Sequence, residues 1–329
     1  MTIKYKNIVF FLLIILFVLI GYFFIGTPPR AEKITFGVNF SQKHIQNFGL
    51  DWKKAYTELL SDLNVKDIKL ITFWDLLEKK ENEFSFEDLD WQIEQAEMKN
   101  ANIVLVIGMK TGSWPECHIP DWVEGLSKQE QQQRILNLIE TIVLRYKQRP
   151  AITIWMVENE PLFPFGECPW IDKNFLRQEV EFVKSLDSTR PIMISDSGEW
   201  SFWIEAAKLG DIVGTTMYKK AWLKEINAYM SYPFPPVFYW RKAEIIKKLF
   251  NKDVISVELQ AEPWCPDRLY ECSFEEQNKT MNLERFNKNI EFAKSTGLDK
   301  FYLWGAEWWF WLKEKHGNIE IWEQARKLF

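Results

Sequence analysis

Between residue 34 and the C-terminus, this chain of 329 residues repeats one pattern: a short apolar run, then a longer amphipathic stretch. The runs are "ITFGVNF" (34–40), "DIKLITF" (67–73), "NIVLVIG" (102–108), "ITIWMVE" (152–158), "PIMIS" (191–195), "DIVGTTMY" (211–218), "VISVEL" (254–259) and "FYLWG" (301–305). Each is apolar almost throughout, as a strand covered on both faces must be. The stretches 50–63, 86–99, 129–147, 172–186, 200–208, 240–251, 281–296 and 318–328 read as helices. In "DLDWQIEQAEMKN", for example, apolar residues recur at three- and four-residue steps and form one buried stripe. Strict alternation of eight strands with eight helices predicts a single (β/α)8 TIM barrel. A doubly wound open sheet would place a glycine-rich phosphate loop after its first strand, and "GVNFSQKHIQNFG" supplies none.

Ahead of the barrel, residues 8–25 ("IVFFLLIILFVLIGYFFI") carry no charge and follow Lys4 and Lys6. That length and flank predict a membrane-spanning helix with its N-terminus inside. No small-residue cleavage site follows, so the helix is expected to stay as a signal anchor. The expected layout is a cytoplasmic N-terminus (1–7), a transmembrane signal anchor (8–25), a linker (26–32) and an extracytoplasmic barrel (33–329) at the cell membrane. The cysteines agree with that compartment: Cys117, Cys168, Cys265 and Cys272 are an even set, which permits disulfides. Three pairings are possible. Cys117–Cys168, tying two neighbouring loops, and Cys265–Cys272, stapling one loop, are the pair of bridges expected. No CxxC spacing is present and His118 is the one nearby histidine, so no metal site is expected. A formal charge of −5, with no block of like charge, argues against nucleic acid as a partner.

Chemistry in such barrels sits at the C-terminal ends of the strands. Those ends carry Asn39, Trp74, Lys110 with Trp114, Glu158–Asn159–Glu160, Asp196, Tyr218, Glu258, and Trp304 with Glu307. The fourth and seventh strands face each other across the barrel, so Glu160 and Glu258 can meet over its mouth. Two carboxyl groups flanking one carbon suit hydrolysis of a glycosidic bond with retention: one donates a proton to the leaving oxygen, the other attacks. Asn159 is suited to holding a sugar hydroxyl, and Tyr218 to donating to the nucleophile. The chain has 17 Trp, many beside Gly, Pro and Glu in predicted loops, which points to stacking against sugar rings. Trp304 is the expected floor of the site, with Trp74, Trp114 and Trp264 as further platforms. Glu158 is given a supporting role, Glu262 is the rival nucleophile, His118 is read as a loop hydrogen-bonder, and Asp196 as a minor candidate for substrate contact.

"NEP" after a buried strand, a glutamate closing strand seven and a Trp closing strand eight resemble the clan A glycoside hydrolases. The stretch "IKLITFWDLLEKKENEFSFEDLDWQIEQAEMKNANIVLVIGMKTGSWP" and the segment "VELQAEPW" are similar to family 42 β-galactosidases, and more loosely to families 35, 5 and 10. The resemblance covers residues 34–310. It implies that Glu160 is the acid/base, Asn159 its neighbour, Glu258 the nucleophile and Trp304 the strand-eight platform. Two positions depart from it. Lys69 stands where many clan members carry arginine, and lysine lacks the guanidinium fork. Asn82 replaces a turn glycine. The expectation is a retaining β-glycosidase that acts on β-linked oligo- or polysaccharides without a cofactor. A transglycosylase using the same glutamates, or a catalytically silent carbohydrate-binding scaffold, are the alternatives.

Overall fold

Each of the apolar runs forms a strand, and the strands close into one parallel barrel. The computed structural model describes the backbone of residues 2–329, with the side chains of residues 8, 10–224 and 226–329. The strands are β1 (Thr35–Phe40), β2 (Asp67–Ile71), β3 (Asn102–Ile107), β4 (Ile152–Val157), β5 (Ile192–Asp196), β6 (Ile212–Met217), β7 (Asp253–Gln260) and β8 (Lys300–Trp304). Neighbours follow chain order around the ring, and β8 closes on β1.

Alternate residues of these strands fill the barrel. Val104, Val106, Ile154, Met156, Met193, Ile255, Val257 and Tyr302 pack together as one inner cluster. The residues between them face the helices and join a larger outer core. Lys69 stands in register with Asn39 on β1 and Val104 on β3, and its side chain is fully buried. A buried lysine demands an ionic partner, which fixes one requirement for whatever lies above it. The ladder on β7 slips on both sides near Val257: Thr215 and Thr216 oppose Ser256 and Glu258, and Phe301 and Leu303 oppose Ser256 and Leu259. One extra residue on β7 re-aims Glu258, as a bulge does.

The expected helices lie outside the barrel, within a few residues of their expected ends, at Trp52–Ser61, Glu87–Met98, Lys128–Tyr146, Lys173–Leu186, Ile204–Leu209, Pro236–Phe250, Leu283–Lys294 and Glu320–Arg326. Their starts are set by local chemistry: Asp51, Asp172 and Asn282 cap free N–H groups, and Ser127 with Glu130 forms a capping box. Several elements go beyond the sequence reading, a hairpin and a helix among them. A hairpin of Lys220–Leu223 with Ala228–Ser231 follows β6, and a helix, Ala306–His316, follows β8. Trp308, Trp309 and Trp311 lie on that helix and are buried against the barrel.

The N-terminal helix spans Thr2–Phe24. Among the described residues no helix is long and apolar enough to cross a membrane, and the signal anchor expected at 8–25 gains no support from them. Its last turn is engaged by the barrel. Phe23 packs on Phe202 and Phe238, Phe24 packs on Phe234 and Phe238, and Arg241 lies over the Tyr22 ring. The expected cytoplasmic segment, 1–7, lies outside the described side chains.

Candidate active site

The turn after β4 turns its backbone sharply twice. Glu158 and Glu160 both have positive φ, at 61° and 43°, a conformation that side chains other than glycine seldom adopt. Hydrogen bonds hold it: Glu158 N donates to Ile107 O, Asn159 N to Lys110 O, and Glu160 N to Ser195 Oγ at 2.8 Å. Lys110 Nζ donates to Glu160 O and Phe163 O. The result points the three side chains of "ENE" in different directions.

Glu158 turns back into the protein. Its carboxylate accepts from Met109 N at 2.8 Å and from Lys110 N. A Cβ at Gly108 would lie 2.3 Å from Glu158 Oε1, so glycine there makes room for the carboxylate. Burial pushes Glu158 up to about 7, against the pull of those N–H groups and a hydrogen bond with Glu179. Glu158 therefore braces the loop after β3 and takes no part at the mouth.

Glu258 has a donor on each oxygen. Lys69 Nζ lies 2.8 Å from Oε1, and Tyr218 O–H donates to Oε2 at 2.8 Å. Both partners donate, so the acid matches them as a carboxylate. Burial and the charge of Glu258 raise the Tyr218 phenol well above its ordinary value, which keeps its proton in place. Lys69 also donates to Asn159 Oδ1 at 2.9 Å. That bond sets the amide orientation and turns Asn159 Nδ2 towards Glu116 Oε2, 3.4 Å away.

Glu160 has the opposite surroundings. Its Oε1 accepts from Thr216 Oγ1 at 3.3 Å, and Thr216 is the residue in register with Glu258. Burial raises Glu160 well above the ordinary carboxyl range; the negative charges of Glu258 and Glu116 add to this, and Lys110 opposes it. Burial and like charge thus bear on Glu160 while two donors hold Glu258, an unequal pairing of the kind that can separate a proton donor from a nucleophile.

Glu262, the rival nucleophile, is occupied elsewhere. It accepts from Trp304 Nε1 at 2.7 Å and lies 3.0 Å from His44 Nε2. Burial works against charging His44, but Glu262 and Glu307 outweigh it and leave the imidazole raised. Glu262 therefore fixes the plane of Trp304, whose ring lies 5.8 Å from Lys69 Nζ. Trp264 packs on the Tyr218 ring at 5.1 Å and stacks on Phe165 at 5.7 Å; Phe165 meets the exposed Trp114 at 6.1 Å. An aromatic chain thus joins the loops after β3, β4 and β7. Trp74 does not belong to it: it is fully buried, donates to Glu78 and packs on Trp122, so the sugar-platform expectation is corrected. Its burial follows from its place at the start of a short helix, Trp74–Leu77, that is folded onto the core.

Cys117 and Cys168 form a disulfide, tying the loops after β3 and β4 as expected. Cys265 and Cys272 remain thiols. The expected Cys265–Cys272 bridge is therefore not formed, and burial, with the neighbouring Cys272, raises the Cys265 thiol. His118 hydrogen-bonds Gly112 O at 3.0 Å, consistent with a loop role. Asp196 accepts from Ser197 N and Ser201 Oγ within its own turn. Among the described residues, no group of His, Cys, Asp or Glu could hold a metal ion. Sequence reasoning missed Glu116, Glu199 and Thr216. Glu199, on the loop after β5, accepts from Tyr218 N and Tyr239 O–H at 2.8 Å each, and so holds the tyrosine that serves Glu258.

Comparison with known proteins gives a consistent picture. Residues 91–263 match the family model described as "Glycosyl hydrolases family 2, TIM barrel domain". That span contains both Glu160 and Glu258. Among solved structures, a GH5_18 from Bifidobacterium longum subsp. infantis matches with a TM-score of 0.61 at 14% identity, over 90% of this chain and 78% of that one. Xylanase 10B from Thermotoga petrophila RKU-1, in complex with xylobiose, matches at 0.55 and 15%, over 83% and 82%. A β-galactosidase from the haloarchaeon Halorubrum lacusprofundi matches at 0.57 and 13%, over 82% of this chain. The present chain spans only 52% of that β-galactosidase.

Proposed function

Since the chain belongs to the family 2 glycosyl hydrolase TIM-barrel domains, and is a clan A glycoside hydrolase, we propose that it cleaves β-linked glycosides with retention of configuration. The observation that carries this reading is the unequal treatment of two carboxyls at one mouth. Glu258 is bound by an ammonium and a phenol, while Glu160 is raised by burial and by its neighbours' charge.

In the first step the Glu258 carboxylate attacks the anomeric carbon as Glu160 gives its proton to the leaving oxygen. The C–O bond to the aglycone breaks, and a glycosyl ester on Glu258 forms. Burial and the neighbouring negative charges favour the protonated form of Glu160 that this step needs. Its proton spent, Glu160 becomes the base that draws a proton from water; the water attacks the same carbon and frees Glu258. Lys69 and Tyr218 stabilise the carboxylate at the start and again when it leaves. Trp304, held in plane by Glu262, supplies a flat apolar face beside the reacting ring. The substrate class is a β-linked oligo- or polysaccharide, and the residues need no cofactor. The Cys117–Cys168 bridge supports an extracytoplasmic location, where disulfides persist.

A panel of 4-nitrophenyl β-glycosides (gluco, galacto, manno and xylo) tests the reading. Release of nitrophenol by the purified chain, lost in Glu258→Gln, is expected. No turnover of any member, or equal turnover by the variant, refutes it.

A further inference from the structure

We propose that Glu116 is a specificity-determining residue of this site, whose carboxyl receives the hydroxyl on the sugar carbon next to the reacting one. The inference rests on the glycosidase reading and adds a residue to it.

Glu116 is 7% exposed and sits on the loop after β3 with φ at 77°. Its position is braced on several sides. Thr111 N donates to its carbonyl, and its own N–H donates to Ser113 O. The next residue, Cys117, is bridged to Cys168. A Cβ at Gly166 would lie 2.4 Å from Glu116 Cβ, so the loop after β4 presses directly on the side chain. Such bracing is more than a solvent-facing carboxylate needs.

The carboxyl itself is almost unserved. Among the described residues, its one hydrogen bond is the long 3.4 Å contact from Asn159 Nδ2 to Oε2. Its other oxygen has no hydrogen-bond partner among the described residues and is not wholly sealed from solvent. A carboxyl that is mostly desolvated, and has one oxygen free beside an open mouth, is an acceptor awaiting a donor. Its charged neighbours locate that mouth: Lys110, Glu258 and Lys69 all act on it, and it acts on Glu160 in turn.

The chain Glu258–Lys69–Asn159–Glu116 gives the direction. Lys69 bridges Glu258 and Asn159, and Asn159 reaches Glu116. The proposal seats the ring with its anomeric carbon at Glu258 and its adjacent hydroxyl along that line. Hydrogen bonds at this hydroxyl strengthen in the oxocarbenium-like transition state. A site built to accept a substrate hydroxyl also rejects the analogue that lacks it, because its own polar group is then left unpaired.

The test compares, at fixed pH, kcat/KM for the 4-nitrophenyl β-glycoside that the chain turns over with kcat/KM for its 2-deoxy counterpart. The unsubstituted protein is expected to prefer the parent sugar strongly. Glu116→Gln, which preserves volume, narrows that preference several-fold, and Glu116→Ala narrows it by about tenfold to a hundredfold. If Glu116→Ala does not fold, as judged by its melting curve, Glu116→Gln alone decides. An unchanged preference overturns the role of Glu116 while leaving the glycosidase reading intact. If the unsubstituted protein turns over no aryl glycoside, both fall together.

Discussion

Lys69 meets Glu258 at 2.8 Å inside the barrel, with the lysine side chain fully buried and the carboxylate side chain 5% exposed. The pair makes the floor of the site part of the fold, because neither charge can be left alone at that depth. Removing only the cation strands a buried anion, at a cost of about 3–5 kcal/mol. Lys69→Met is therefore expected to lower the melting temperature markedly, and Lys69→Met combined with Glu258→Gln to recover much of it. A thermal denaturation cycle on the four proteins measures this. Additive losses in the double variant would show that the two residues are not coupled.

Glu160 predicts the shape of the pH–rate profile. Its carboxyl is raised, so the protonated acid persists into the range where an ordinary glutamate has ionised. The alkaline limb of kcat/KM is then set by loss of that proton, and activity falls as pH rises through it. Glu160→Gln should abolish this limb. It should slow substrates with poor leaving groups by at least about a hundredfold, and dinitrophenyl glycosides, which need no proton, far less. An alkaline limb retained in Glu160→Gln, followed by steady-state kinetics, would assign it to another group.

Stability should also fall with pH between about 4.5 and 7. Burial raises Glu116, Glu158 and Glu307 to about 7 each, so the folded chain keeps protons that the unfolded chain has released. Where the folded state binds more protons, stability declines as pH rises. Asp62 and Asp172, held down at about 2 by hydrogen bonds from Arg326 and Lys128, exert the opposite effect below this window, and His118, lowered to about 4 chiefly by burial, exerts it inside the window as one imidazole against three carboxyls. Melting curves at pH 5 and pH 7 check this, and a higher melting temperature at pH 7 would contradict it.

The Cys117–Cys168 bridge spans 51 residues and, in the chain-entropy picture, contributes about 4 kcal/mol. Cys117→Ser with Cys168→Ser is expected to lower the melting temperature. Because the bridge braces the loops bearing Trp114, Glu116 and Phe165, the change should raise KM more than it lowers kcat. Kinetics with one aryl glycoside measure the split.

Much of this was legible in the residue order. Every predicted strand is present because a strand buried on both faces is apolar along its length, and counting strands placed Glu160 opposite Glu258. The clan resemblance holds, although the family model that matches is that of family 2 and not of the families first likened to it. What stayed hidden depends on distance in space. Trp74 and Trp264 look alike in sequence, yet one is sealed under the rim and the other packs on Tyr218. Glu116 gave no signal because its burial comes from Gly166 and a disulfide partner far along the chain. Lys69 read as a weakened substitute for arginine, but its single ammonium serves Glu258 and Asn159 together. The packing of the N-terminal helix's last turn on Phe202, Phe234 and Phe238 likewise left no mark in the residue order.

The central claim is the division of labour between the two glutamates, and trapping the covalent intermediate tests it most directly. The chain would be incubated with the 2-deoxy-2-fluoro dinitrophenyl form of the sugar it hydrolyses, digested, and its labelled peptide sequenced by mass spectrometry. A fluorosugar ester on Glu258, accompanied by a burst of one equivalent of dinitrophenol, is the predicted result. A label on Glu262 or Glu116, or release of product with no label at any residue, would contradict it.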